Sequence, residues 1–294
     1  MTSEARVTSP PEGLLLADKP AGKTSHDVVD LARRALGTRR VGHAGTLDPF
    51  ATGLLVLLVG RCTRLLPYLD AEPKVYEAMI RFGYETDSDD ATGAPTVTAA
   101  PPDEVAVRAA IMALTGTLAQ RPPAVSAKQV GGVRAHAAAR RGAPLELKDV
   151  TVVVHAWDHV VFDGDTLSAT ITCGGGTYIR AIARDLGRAV GSAAHLATLR
   201  RTRSGNFDVA DAIPALELRE RGAGALRSAA SGLEAAIVHE PLDAERVRDV
   251  RHGRSVPAHA AGARAALLTP DGALLAIAER QGDAWQPVVV LGDE

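Results

Sequence analysis

Hydrophobic and polar positions along this chain switch between two periods, and the switches mark its elements. Residues 13–18 (GLLLAD) form a short apolar run that suits a strand. Thr24 and Ser25 then precede a stretch in which Val28, Val29, Leu31, Ala32, Ala35 and Leu36 fall on one helical face. A hydroxyl side chain at that boundary can accept from the unpaired amides of the first turn, and Gly37 supplies a natural stop. A polar, glycine-containing loop is expected over residues 38–52, followed by LLVLLV at 54–59, the longest apolar run and a buried strand by its pattern. Residues 76–82 read as another strand, and 103–114 as a helix opened by acidic residues.

The second half changes character. Residues 151–162 and 166–173, rich in Val, Thr and Ile, flank Asp163-Gly164-Asp165, a strong hairpin signal. Gly174–Thr177 leads into an amphipathic helix, YIRAIARDLGRAVG, and the Ala-rich stretch at 211–230 also has a helical pattern. From Pro241 a short helix and short Val/Leu strands, broken at Asp271-Gly272 and Gly282-Asp283, suggest a small β-rich domain. The polar, proline-containing first dozen residues read as a disordered tail.

Composition narrows the classes. With 294 residues, 46% of them hydrophobic, the chain can bury a substantial core, which must be aliphatic because only 3% are aromatic. LLVLLV is far short of the roughly 20 apolar residues of a membrane helix. The N-terminus has no apolar core of a secretory signal, so a cytoplasmic location is expected. Cys62 and Cys173 stand far apart with no ligand spacing, which disfavours a disulfide scaffold or a structural zinc site, and no metal is expected. Thirty-three basic residues against 35 acidic ones speak against nucleic acid on the total. Locally they do not. Residues 18–64 carry Lys19, Lys23, Arg33, Arg34, Arg39, Arg40, Arg61 and Arg64 against four aspartates, and 178–203 carry six arginines against Asp185 alone. Such clusters can contact phosphates and make binding salt-sensitive, although a charge run is often only a solvated face.

Three motif-like segments fail on inspection. Gly22-Lys23-Thr24 would need a glycine at position 17, where Ala17 stands, to end a phosphate loop. The acidic run Asp87–Asp90 lacks calcium-loop spacing and reads as a turn between strands. Gly174-Gly175-Gly176 is no dinucleotide fingerprint.

The densest chemistry lies in residues 39–53, RRVGHAGTLDPFATG. Glycines and a proline fix a tight path around one carboxylate, Asp48. An aspartate before proline commonly just forms a turn. An aspartate in a partly dry, basic pocket, however, stays ionised because nearby guanidinium opposes desolvation, and it is then a competent nucleophile.

This run resembles the nucleophile loop of the TruB family of pseudouridine synthases. The resemblance extends, in order, through Asp18-Lys19-Pro20 with Gly22, Thr24-Ser25 and Asp27, and then Gly42-His43-Ala44-Gly45-Thr46-Leu47-Asp48-Pro49. It continues through Tyr76 with Arg81, Gly83, Thr86 and Asp89, then Gly176-Thr177-Tyr178-Ile179-Arg180 and Leu199-Arg200-Arg201-Thr202. Two departures stand out. Ser126-Ala127-Lys128-Gln129 has its lysine one position early, and Arg134-Ala135-His136 has His136 where the family has tyrosine.

The resemblance implies an α+β fold. Its pseudouridine-synthase core, residues 13–235, would be a bent, mainly antiparallel sheet flanked by helices, and residues 236–294 a small PUA-like RNA-binding β domain. It implies isomerisation of uridine 55 in the T arm of tRNA on a flipped-out base, without cofactor, metal or guide RNA, by a chain expected to be a monomer. The implied nucleophile is Asp48, either attacking C1′ or first taking the 2′ proton to give a glycal. Tyr76 would stack on the uracil and act as base at C5, and Arg180 would pair with Asp48. Tyr178 and Leu199 would line the base pocket, Lys19 would brace it, and His43 would fill the space left by the flipped base. Structural alternatives exist for each: Asp48 as a turn residue, Tyr76 and Tyr178 as core, Arg180 as a surface helix arginine, His43 as a loop histidine, Lys19 and Leu199 as scaffold. The alternative function is a non-catalytic tRNA-binding or folding protein of the same fold, to which an ionised pocket carboxylate would be of no use.

Overall fold

A computed structural model of the chain describes residues 11–125, 129–130, 133–134 and 147–291. It opens with β1 (Gly13–Lys19), α1 (Ser25–Leu36), β2 (Val41–His43) and β3 (Thr52–Val59). A 3-10 segment, Gly60–Tyr68, leads to β4 (Lys74–Phe82), β5 (Tyr84–Thr86), β6 (Pro95–Thr98), α2 (Glu104–Ala113) and β7 (Gly116–Gln120). The short β8 (Gln129–Val130) and β9 (Val133–Arg134) precede β10 (Val150–Asp163), β11 (Thr166–Cys173), α3 (Ile179–Ala189) and β12 (Ala194–Ser204). Next come β13 (Phe207–Asp208), β14 (Ile213–Pro214), α4 (Leu218–Arg221), β15 (Ile237–Pro241) and α5 (Ala244–Arg251). The chain ends in β16 (Val256–Pro257), β17 (Arg264–Leu268), β18 (Leu274–Gln281) and β19 (Ala284–Val290). These elements form two compact units, one from Met1–Asp48, Leu54–Ala71 and Asn206–Glu294, the other from Pro49–Gly53 and Glu72–Gly205.

In the first unit β14, β1 and β3 lie side by side, with β2 antiparallel on β3. The unbroken apolar run of β3 follows from cover on both faces. Leu55, Leu57 and Val59 share a cluster with Leu15, Ala17 and the α1 residues Val28, Val29 and Ala32. Leu54, Val56 and Leu58 pack with Leu14, Leu16, Leu65, Phe207, Leu233 and Ile277. Helix α1 begins at a reciprocal cap: the Thr24 hydroxyl accepts from the Asp27 amide while the Asp27 carboxylate accepts from the Thr24 amide. It ends at Gly37 in the left-handed region, φ 63°.

The C-terminal sheet of this unit has the order β15-β17-β18-β19-β16, with β15 parallel to β17 and the other neighbours antiparallel. Its own core is Leu242, Val247, Val250, Leu267, Leu275 and Trp285. Within it Glu240 is 3% exposed and accepts from the amides of Ala260 (2.8 Å) and His259 (3.1 Å) and from Trp285 Nε1 (3.2 Å). Its other oxygen meets Arg246 Nη1 at 3.2 Å and His259 Nδ1 at 3.0 Å. Burial works to raise this carboxyl, but the hydrogen bonds outweigh it and hold it down at about 2.

The second unit is a sheet of order β12-β4-β11-β10-β7 in which every neighbour is antiparallel. Thr52 and Gly53 at the start of β3 pair in parallel with Arg200 and Arg201 of β12. Along β4 the alternation is clean: Tyr76, Ala78, Ile80 and Phe82 are buried while Glu77, Met79 and Arg81 face outward.

Two expectations change, and one strand was not foreseen. Residues 38–52 contain the short strand β2 rather than loop alone. Residues 211–230 form mainly 3-10 turns and only one four-residue helix, α4, because Pro214, Gly222 and Gly224 interrupt the Ala-rich pattern. Strand β12, rich in arginine, has no apolar signature in the sequence. The expected hairpin is present as β10 and β11, whose turn contains Gly164 at φ 64°. The cysteines are free and buried, with both thiols pushed up to about 11 by desolvation. Among the described residues no helix is long and apolar enough to cross a membrane.

Candidate active site

Asp48, His43 and Lys19 belong to the first unit. The loop leading to Asp48 is tied down before and at its approach. The Ala44 amide donates to the Val56 carbonyl at 2.9 Å. The Ser25 hydroxyl, buried at the start of α1, accepts from the Leu47 amide (2.8 Å) and donates to the Leu47 carbonyl (3.1 Å). One side chain thus pins both polar groups of the residue before Asp48, whose carboxylate is half-buried. His43 is half-buried at the end of β2 opposite Leu57. Lys19 is fully buried, and its Nζ donates to the carbonyls of Lys23 (2.7 Å) and Pro20 (3.0 Å), closing the turn that introduces α1.

Tyr76, Leu199, Tyr178 and Arg180 belong to the second unit. In the β12–β4 ladder Arg201 lies opposite Tyr76 and Leu199 opposite Ala78, so Tyr76 and Leu199 are diagonal neighbours on one face. Both are buried. Gly53 meets this ladder at close quarters: a β-carbon there would lie 2.2 Å from the Arg201 carbonyl oxygen, and its φ of 102° suits only glycine. Tyr178 stands just before α3, at φ −99° and ψ 105°, with no capping side chain of its own. Arg180 is buried in the first turn of α3, its Nη1 donating to the Ser88 carbonyl (2.8 Å) and lying 3.6 Å from Asp90, its Nη2 donating to the Val125 carbonyl (2.9 Å).

The remaining α3 arginines are both ion-paired, and of the two Arg188 keeps to the solvated face that their spacing suggests. Arg184 is buried and pairs with Asp89 at 2.7 Å, and Arg188 meets Glu85 through two bonds of 2.7 Å. Arg180, Arg184 and Arg188, one turn apart, therefore fasten α3 to the 85–90 segment through Asp90, Asp89 and Glu85. Burial raises the Asp89 carboxyl, with Arg184 the main opposing influence, and the Glu85 bonds raise the Arg188 guanidinium. Asp89 itself sits at φ 60° and its carbonyl accepts from the Leu196 amide of β12. The acidic run is thus a turn between β5 and β6, as its spacing suggests, with Asp89 and Asp90 buried and Asp87 exposed.

Sequence reasoning missed two residues here. Ser25 was visible as a helix-start and motif residue but not as the anchor of Leu47, and Gln120, which bonds both backbone groups of Tyr178, gave no signal at all. The departures around Ser126–Lys128 and Ala135–His136 lie outside the described residues. Among the described residues no group of three or more His, Cys, Asp or Glu is placed to hold a metal ion.

The model for "TruB family pseudouridylate synthase (N terminal domain)" matches residues 33–179. The chain belongs to the TruB family of pseudouridine synthases. Two TruB C-terminal models match further along the chain, "tRNA pseudouridylate synthase B C-terminal domain" at residues 180–238 and "tRNA Pseudouridine synthase II, C terminal" at 240–292. Proteins named tRNA pseudouridine synthase B are similar over nearly the whole length. That of Thermobifida fusca is 46% identical, the match covering 95% of this chain and 98% of the relative. That of Corynebacterium glutamicum is 40% identical, covering 96% and 97%. Among solved structures, a chain of the archaeal box H/ACA sRNP Nop10–Cbf5 complex superposes with a TM-score of 0.69 at 24% identity, over 96% of this chain and 86% of the other. That likeness establishes the α+β pseudouridine-synthase fold of this TruB-family chain. The motif resemblance read from the sequence is borne out, as is the small C-terminal sheet.

Proposed function

We propose that this chain is a cytoplasmic tRNA pseudouridine synthase that converts uridine 55 of the T arm to pseudouridine, as a monomer and without guide RNA, metal or cofactor. The reaction breaks the N1–C1′ bond, turns the uracil, joins C5 to C1′, releases the C5 proton and protonates N1. Nothing is oxidised and the mass is unchanged. Asp48 is the nucleophile, with Arg180 its partner, and Tyr76 stacks on the uracil and takes the C5 proton. Tyr178 and Leu199 wall the base pocket and Lys19 braces it. The base must leave its stack, at a cost of a few kcal/mol, and His43 fills the gap it leaves.

The observation that carries this reading is a carboxylate on a rigidly held loop, GHAGTLDP, in a chain whose relatives over nearly its whole length are named tRNA pseudouridine synthase B. A nucleophile gains from such fixed placement, since misplacement by about 1 Å can cost on the order of 100-fold in rate. Incubating the purified chain with a T-arm stem-loop carrying tritium at uridine C5 tests it. The wild-type chain should release tritium without added metal or guide RNA, while Asp48→Asn should bind the stem-loop and release none. Normal turnover by Asp48→Asn would overturn the nucleophile assignment. Tight binding with no release by the wild type would instead mean a non-catalytic tRNA-binding protein.

A further inference from the structure

Strand β7 ends at Gln120, a side chain 1% exposed on a backbone fixed by its pairing with Val150 of β10. Its amide reaches Tyr178, 58 residues on, and makes two hydrogen bonds there. Gln120 Oε1 accepts from the Tyr178 amide (2.9 Å), and Nε2 donates to the Tyr178 carbonyl (3.1 Å). A residue in extended conformation presents its own N–H and C=O to the same side, as in a strand, and a primary amide supplies the matching acceptor and donor. In helical conformation those two groups point opposite ways along the axis, so one bond would be lost. The Tyr178 carbonyl also accepts the first helical bond, from the Ile182 amide (3.1 Å).

We propose that Gln120 is a positioning residue for pseudouridine formation: it holds Tyr178 extended, and so fixes where α3 starts and how Tyr178 and Arg180 are presented. The assignment rests on the functional reading above. Two neighbouring contacts support it. Arg184 Nη2 donates to the Arg121 carbonyl (2.8 Å) and Arg180 Nη2 to the Val125 carbonyl, so the chain just after Gln120 is fastened to the same helix. A hydrophobic side chain would satisfy the burial as well and would leave the helix start unregistered. A buried amide is costly unless bonded, and here its bonds go to one residue of the proposed base pocket.

The test compares wild type, Gln120→Met and Gln120→Glu as full-length chains, by tritium release from the T-arm stem-loop, by stem-loop affinity and by thermal melting. Gln120→Met keeps the volume and deletes both bonds. Its kcat should fall on the order of 100-fold with KM and affinity within about threefold of wild type, the signature of misplaced groups rather than lost binding. Gln120→Glu keeps the acceptor for the Tyr178 amide and loses the donor, so its kcat should lie between the two. If Gln120→Met does not fold, the glutamate variant decides alone. Exchange of the Tyr178 amide in the wild type, read by deuterium labelling, should be slow. A kcat for Gln120→Met or Gln120→Glu within about twofold of wild type, a loss confined to KM, or fast exchange at Tyr178 would each overturn the assignment. An inactive wild type with a slowly exchanging Tyr178 would sink the functional reading, and the positioning role with it, while leaving the clamp itself intact.

Discussion

Glu240 provides the clearest quantitative test of how the C-terminal sheet is held. It is folded into a ring of donors from Ala260, His259, Trp285 and Arg246 that hold its carboxyl at about 2, against 4.5 for the ordinary side chain. That difference corresponds to about 3 kcal/mol of stability supplied by the ionised form. The sign follows from proton binding. The unfolded chain takes up the proton first, so the contribution is complete above about pH 5 and disappears as pH falls towards 2. Glu240→Gln removes the charge at nearly constant shape and turns a donor group towards other donors, so at pH 7 it should cost about 3–5 kcal/mol. The cost should shrink as pH drops through 4 to 2, where wild type and variant carry the same charge. Urea unfolding of both proteins in a Trp157→Phe background, which leaves Trp285 as the fluorescent reporter, measures the difference at each pH. A difference below about 1 kcal/mol at pH 7, or one that stays constant down to pH 2.5, would refute the reasoning.

Two further substitutions probe the scaffold of the candidate site. Gly53→Ala places a β-carbon 2.2 Å from the Arg201 carbonyl at an unfavourable φ, so it should cost at least about 3 kcal/mol and reduce turnover sharply; unchanged melting and activity would contradict the close approach. Arg184→Ala leaves the buried Asp89 without its closest charge partner and should cost about 3–5 kcal/mol at pH 7. Because burial raises the Asp89 carboxyl above its unfolded value, the folded variant takes up the proton first. Its deficit should therefore diminish as pH falls below 7, and denaturant midpoints measured at successive pH values check this.

What was legible in the sequence was what local physics decides. Thr24, Ser25 and Gly37 announced α1 because a cap and a stop are properties of a few adjacent residues. Asp163-Gly164-Asp165 announced the β10–β11 hairpin for the same reason, and an apolar run covered on both faces could only be β3. The 211–230 stretch misled because alanine favours helix residue by residue, while its proline and glycines break the run. Strand β12 was hidden since Arg201, fully buried, sits where a core side chain would be expected. The loop around Asp48 could be found from its motif, but what holds it, Ser25 on Leu47, bridges 22 residues and leaves no periodicity. The arginines of α3 read as a wet face, which Arg188 indeed lines, because the carboxylates that meet the buried Arg180 and Arg184 lie ninety or more residues upstream, in a segment that by itself reads as a solvated turn.

That triple pairing of α3 with the 85–90 segment also sets how this part of the molecule responds to heat. Charged groups are hydrated less favourably as temperature rises, so the cost of keeping Arg184 and Asp89 away from water declines on warming. Apolar contacts reach a plateau over the same range. Helix α3, which carries Arg180, is therefore seated by interactions that strengthen relative to its apolar packing as the chain is heated. On warming, the weaker attachments elsewhere should loosen first, leaving the seat of this helix among the last parts to give way.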